Sequence, residues 1–160
     1  AVSIRAVASR CSVSAGTIYN YYESKADLLS DTIESIWHEI FFHPEDEQVF
    51  HDVESCISWI YERLEYGNRQ FPGFFSLHSF GFMRDEKTSG KKRMMKTWGH
   101  ILNGLCEVLG NDPKVRADVF DQEFTEKKFA DILFSLILVS MIRQDYDPSS
   151  VLMLVKKTLY

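Results

Sequence analysis

The sequence predicts an all-α fold in two parts, on three observations. Apolar residues recur at helical spacing along the whole chain, no run alternates as a strand would, and a short, polar, tyrosine-rich segment stands in front of a long apolar body. The composition agrees, since 160 residues can enclose a sizeable core and 45% hydrophobic, 14% aromatic and 26% charged residues describe a folded chain. The expected division is a head at residues 1–33 and a helical body at 34–160.

The elements follow in order. Ser3 can cap a first helix, SIRAVASR, with Ile4, Val7 and Ala8 turned inward. Ser12-Val13-Ser14 reads as a tight turn with Val13 as an apolar plug, and Ser14 caps a second helix from Ala15 to Tyr22 with Ile18 inward. Ser24 and Asp27 form a capping box that starts a long helix at Lys25, whose face runs through Leu29, Ile33, Ile36 and Ile40 until His43-Pro44. A second long helix carries Val53, Cys56, Ile57, Ile60 and Leu64 and is expected to end near Gly67.

Phe71-Pro72-Gly73 is a break before a short aromatic helix. Met94, Trp98, Ile101, Leu105 and Leu109 mark the next helix, with Gly110 expected as its left-handed cap. Glu126 to Gln144 is the most apolar helix, and Asp147-Pro148 opens the last one.

Charge and cysteine content exclude several classes of function. The net charge of −5 argues against a chain that binds nucleic acid over its whole surface, although residues 1–30 carry +1 against −6 for the remainder. Cys11, Cys56 and Cys106 are odd in number and widely spaced, which suggests neither a disulfide framework nor a zinc site. The run Phe129 to Ile142 contains Asp131 and is shorter than a membrane span needs, so no membrane partner is expected. No targeting signal is visible and a cytoplasmic location is expected.

The string HEIFFH, His38 to His43, resembles a zinc-protease helix but has one residue too many, which would set the two imidazoles about 140° apart. With no nucleophile elbow, phosphate loop, metal site or cofactor motif, the chain is expected not to be an enzyme and to need no cofactor.

The tyrosine-rich segment has a composition that a buried helix would not use. Small residues at a helix start allow close approach to a DNA groove, Thr17 and Asn20 offer hydrogen bonds to base edges, and tyrosine hydroxyls reach phosphates without added charge. Lys25 at a helix start is suited to a phosphate. The pattern V-S-x-G-T-[IL]-Y-x-Y-[FY]-x-S-K-x-[DE]-L-[IL] is matched from Val13 to Leu29 and resembles the DNA-binding motif of the TetR family of bacterial transcriptional regulators. Cys11-Ser12 departs from the family's usual Ala-Gly, which puts the turn geometry in question.

The resemblance implies a ligand-responsive repressor that binds a palindromic operator in double-stranded DNA as a homodimer, with a further helix ahead of residue 1. The expected DNA contacts are Ser3, Arg5, Ser14, Ala15, Thr17, Tyr19, Asn20, Tyr21 and Lys25. The alternative is a helical homodimer that works mainly through protein contacts, with a weak or vestigial DNA head.

In the body, the aromatic and methionine residues Trp59, Phe74, Phe75, His78, Phe82, Met94, Met95 and Trp98 are candidates to line a pocket for a small-molecule effector. The helix from Glu126 to Gln144 is apolar in nearly every direction, so one face should meet a partner copy. The candidates for that interface are Leu133, Leu136, Ile137, Ser140, Met141, Val151, Leu152, Val155 and Leu159. The charged run from Arg84 to Lys96 reads as a solvated turn and helix start, with an anionic effector such as an acyl thioester or phosphate, or an added electrostatic contact, as its functional alternatives.

Overall fold

The computed structural model describes residues 3–42, 50–77 and 89–160, with backbone alone at 76–77 and 89–97. The described residues form eight α-helices and no strand: α1 (Ile4–Arg10), α2 (Ala15–Tyr19), α3 (Lys25–Phe41), α4 (Val53–Gln70), α5 (Phe74–Leu77), α6 (Ser89–Asn111), α7 (Glu126–Arg143) and α8 (Ser149–Leu159).

Local side-chain chemistry sets most of the helix starts. Ser3, Ser14, Ser24, Asp52 and Thr125 each accept a hydrogen bond from the backbone N–H three residues on, satisfying a donor that the first turn leaves free. Helix α8 differs from the expected Asp147 cap: its N-cap is Pro148, without a side-chain cap bond, and Asp147 one residue earlier accepts from the Ser149 N–H at 2.9 Å and its hydroxyl at 2.8 Å. Those bonds hold the Asp147 carboxyl below its ordinary value.

Four local expectations are corrected. The second helix stops at Tyr19 rather than Tyr22, with Asn20 as its cap. Val13 is 41% exposed and does not plug the turn. Helix α4 continues past Gly67 to Gln70, because Gly67 is a packing position: a Cβ there would lie 2.6 Å from Ile40 Cδ1 and 3.0 Å from Phe75 Cζ. Gly110 lies inside α6, which runs to Asn111. The glycine with a left-handed backbone is Gly73, φ 81°, at the predicted break.

Two separate cores result. The head buries Ile4, Ala8 and Ile18, with Val7, Ala15, Tyr22 and Leu28 packed around them. The body core runs from Trp37 and Ile40 through Ile57, Tyr61 and Leu64 to Leu133, Val155 and Leu159. Helix α4 is central, packed against α3, α5, α6 and α8. Among the described residues, α3 is the helix with side chains in both cores, through Leu28 in the head and Trp37 and Ile40 in the body.

Buried Asp112 locks the far end of the body. It accepts from the Val53 N–H at 2.9 Å, the Lys114 N–H at 2.9 Å and the Tyr160 hydroxyl at 2.5 Å, joining the end of α6 to the start of α4 and the end of α8. Arg116 adds bonds to the carbonyls of Leu159 and Thr158, which α8 leaves unpaired. Burial and the Asp112 carboxylate push the Tyr160 phenol well above its ordinary value, so it stays a donor.

Candidate DNA-binding head and body cavity

Helices α1 and α2 are joined by a Schellman turn. Val13 N–H bonds to Ala8 C=O at 3.0 Å and Ser12 N–H to Ser9 C=O at 3.2 Å, which closes the open carbonyls at the end of α1. Ser12 holds the left-handed position, φ 56°, where glycine would be unstrained. The departure at Ser12 therefore leaves the turn's shape intact and adds a strained side chain.

The turn sets α2 across α1 with its polar side outward. Ser14 accepts from the Thr17 N–H at 3.1 Å, and the Ser14 and Thr17 hydroxyls lie 2.9 Å apart in a hydrogen bond. Thr17, Tyr19, Asn20 and Tyr21 are exposed, Tyr19 by 54% and Tyr21 by 81%. Ser3, Arg5 and Lys25 are exposed as well, and Lys25 is the first residue of α3. Ala15 differs, being half-buried against the head core.

Tyr22, third of the clustered tyrosines, turns back: its hydroxyl donates to Asp31 Oδ2 at 2.8 Å, tying the end of the motif to α3. That bond raises the Tyr22 pKa above its ordinary value.

This geometry is an outward polar helix held by a capped turn against a supporting helix, and the comparisons agree with it. Residues 1–32 match the family model for bacterial regulatory proteins, tetR family. This segment is similar to the N-terminal part of that family. The match supports a DNA-binding transcriptional regulator. No curated protein and no solved structure matches the chain.

In the body of the regulator a cavity of about 390 Å³ lies between α3, α4 and α6. Trp37, His38 and Phe41 line it from α3, Cys56, Trp59 and Ile60 from α4, and His100, Ile101 and Leu105 from α6, with Glu34, Phe42, Phe50 and Gly104 completing the wall. The rings support one another. Trp37 stacks on Phe41 at 5.7 Å, Trp59 meets Phe41 and Phe50 edge-on at 5.9 and 5.1 Å, and His38 stacks on Phe42 at 4.4 Å. Burial pushes the Cys56 thiol up to about 12, so it is a neutral wall residue at physiological pH.

The expected pocket residues fall in different places. Among the predicted residues whose side chains are described, Trp59 lines this cavity and Phe74, Phe75 and Trp98 do not. Phe74 and Phe75 are buried core residues that pack against Trp37 from behind, and Trp98 packs edge-on against Phe134. Met94 and Met95 lie on α6, where the backbone alone is described. His78 and Phe82 lie outside the described residues, as does His43. The sequence signal missed was the aromatic spacing Trp37, Phe41, Phe42 and Phe50 on either side of the proline.

The expected interface face needs a similar correction. Leu133, Ile137, Met141, Val151, Val155 and Leu159 are buried in the chain's own core and have no surface left to offer. Leu136 and Leu152 are half-buried beside that core, and Ser140 is hydrogen-bonded to the Tyr61 hydroxyl at 2.8 Å. The apolar residues left outside are Ile132, Val139 and Ile142 on α7, with Met153 and Leu154 on α8. Ile142 and Met153 are the most open of them, at 53% and 56%. The three on α7 fall within about 80° of one another around the helix, which makes a single stripe.

Among the described residues no helix is long and apolar enough to cross a membrane, and no group of histidine, cysteine and carboxylate side chains could hold a metal ion.

Proposed function

We propose that the protein is a ligand-responsive repressor that binds a palindromic operator as a homodimer, with residues 1–33 as the DNA head and 34–160 as the sensing and dimerising body. It acts in the cytoplasm without catalysis or a cofactor. The observation that carries this reading is the course of α3, one 17-residue helix that begins at exposed Lys25 beside the recognition helix and ends in the wall of the cavity. At about 25 Å in length it is a rigid lever between ligand and DNA.

In this reading α2 enters the major groove, with Ser14, Thr17 and Asn20 toward base edges, while Ser3, Arg5, Tyr19, Tyr21 and Lys25 hold phosphates. The exposed stripes of α7 and α8 pair with those of a second copy. Dimeric heads must reach successive major grooves about 34 Å apart. A ligand that displaces α3 changes that separation, and the coupling is a difference in ligand affinity between the two head spacings.

Selection of random duplex DNA by the full-length protein tests the reading. A two-fold symmetric site is the expected result, with Tyr19→Phe and Lys25→Ala weakening binding to every sequence and Asn20→Ala relaxing preference at one position. Recovery of no site from a folded dimer would overturn it in favour of a helical dimer that works through protein contacts.

A further inference from the structure

We propose that the hydrogen bond from Tyr22 to Asp31 is a clasp that fixes the angle of the recognition helix on α3, which makes Tyr22 a positioning residue for operator binding. This rests on the DNA-binding reading of the head, and it names the side-chain pair that orients that head.

The head is lightly held on its support. Helices α1 and α2 pack on each other, whereas among the described residues neither makes more than slight contact with α3. Helix α2 has five residues, so its direction comes from what grips its ends. Its start is fixed by the Schellman turn and the Ser14 cap. Its far end is tied to Tyr22, whose backbone N–H donates to the Ile18 carbonyl at 3.0 Å, as does the Tyr21 N–H.

The Tyr22 side chain carries that end across to α3. Its ring and Leu28 both pack on the head core, and its hydroxyl donates to Asp31 Oδ2 at 2.8 Å. Leu28 and Asp31 are three residues apart in one helix, on the same side of it and about 4.5 Å apart along its axis. An apolar contact at Leu28 alone is non-directional and lets the head rock about it. A directional bond almost one turn further along restrains that motion. The next apolar side chain after Asp31 is Ile33, which packs on the body core, so the clasp grips α3 just before the body begins. The bond also raises the Tyr22 pKa above its ordinary value, and the hydroxyl remains a donor at physiological pH.

An angle matters most where bases are read. Binding to unrelated DNA rests on phosphates, which recur along any duplex, whereas operator preference needs side chains set against base edges in fixed geometry. Loss of the clasp therefore lowers operator preference more than affinity for DNA in general.

The full-length protein is titrated with its selected operator and with a scrambled duplex, as wild type, Tyr22→Phe, Asp31→Ala, Asp31→Asn and the Tyr22→Phe/Asp31→Ala double variant. Tyr22→Phe keeps the ring and removes the bond. It should weaken operator binding about three- to tenfold and scrambled-duplex binding by less than about twofold. Asp31→Asn keeps an acceptor and should retain most of the operator preference. The double variant should be no weaker than the weaker single one, a comparison that separates the pair from any other contact Asp31 makes. In the free protein, amide exchange at Tyr21 and Tyr22 should quicken in Tyr22→Phe and Asp31→Ala.

Additive effects of the two changes overturn the proposal. Equal weakening on both duplexes by Tyr22→Phe, with Asp31→Ala neutral or tighter, would make the hydroxyl a phosphate contact and overturn it as well. Loss of binding to both duplexes together with exchange protection throughout α1 and α2 would mark the bond as holding the head's fold, which also removes its positioning role. A folded wild-type protein that prefers no site sinks the operator reading instead, and exchange alone then decides the clasp. Quickening at Tyr21 and Tyr22 that Asp31→Asn does not share upholds it as the contact that orients the head, and unchanged exchange overturns it.

Discussion

The head and the body are both helical, and they are stabilised in different ways. The head encloses three buried side chains, Ile4, Ala8 and Ile18, and relies on caps, a Schellman turn and the Tyr22–Asp31 hydrogen bond. The body has a continuous core, an aromatic cluster and a buried carboxylate that locks three elements together. Burial stabilises roughly in proportion to apolar area, so a unit with the head's small core depends on the helix that supports it. The difference suits the proposed regulator, in which a light head carried on α3 would follow the body while the body keeps its fold.

The sharpest way to break this contrast is a pair of core truncations. Leu64→Ala, at a position with no exposure, should cost about 2–5 kcal/mol of global stability, read from denaturant unfolding of the whole chain. Ile18→Ala removes a similar group but should act locally, abolishing DNA binding and the hydrogen-exchange protection of α1 and α2 while the body's transition stays in place. A single cooperative loss in both variants would mean that head and body fold as one unit.

Gly67→Ala is the next test, and it acts where α3 crosses α4. The added methyl meets Ile40 and Phe75, so overpacking should cost about 1–3 kcal/mol. It should also shift ligand response and operator affinity through α3, readable as an altered ligand concentration for half-release. A smaller effect of opposite sign is expected in the head. Ser12→Gly relieves a left-handed backbone and should stabilise the head by about 0.5–1 kcal/mol, visible as greater exchange protection of α1 and α2.

The smallest effect comes from acid. Asp52, Asp121 and Asp147 have pKa values lowered chiefly by backbone N–H bonds, from Ser55, from Phe124 and Glu123, and from Ser149 respectively. A lowered folded-state pKa contributes stability that is present above the ordinary carboxylate value and is lost as pH falls through the folded one. All three lie in the body, so a thermal melt taken from about pH 5 down toward pH 2 should lose body stability progressively. Asp147→Asn should flatten that slope, and an unchanged slope would remove the Asp147–Ser149 bonds from the account.

Much of this was legible in the chain because it is local. The caps at Ser3, Ser14 and Ser24, the break at Phe71–Gly73 and the outward set Thr17, Tyr19, Asn20 and Tyr21 follow from rules that act over a few residues. The family segment was readable for the same reason, since one short stretch holds turn, recognition helix and support. The failures were of another kind. Gly67 and Gly110 were read as helix ends because glycine usually breaks helices, and nothing nearby in sequence reports that Ile40 and Phe75 come to rest against Gly67.

The cavity and the exposed stripes belong wholly to that second kind. Helix α7 is apolar on nearly all sides, so its sequence allows many orientations, and only its packing in the fold placed Leu133 and Ile137 inside and Ile132, Val139 and Ile142 outside. Trp37 and Trp59 likewise become neighbours of one cavity only when α3 and α4 cross at Gly67. By itself the sequence determined the helices, their caps and the DNA-facing motif, because hydrogen bonds and sterics within one or two turns decide those. Tertiary structure decided which apolar faces are core, cavity or surface, because burial is non-directional and is shared among residues far apart in the chain.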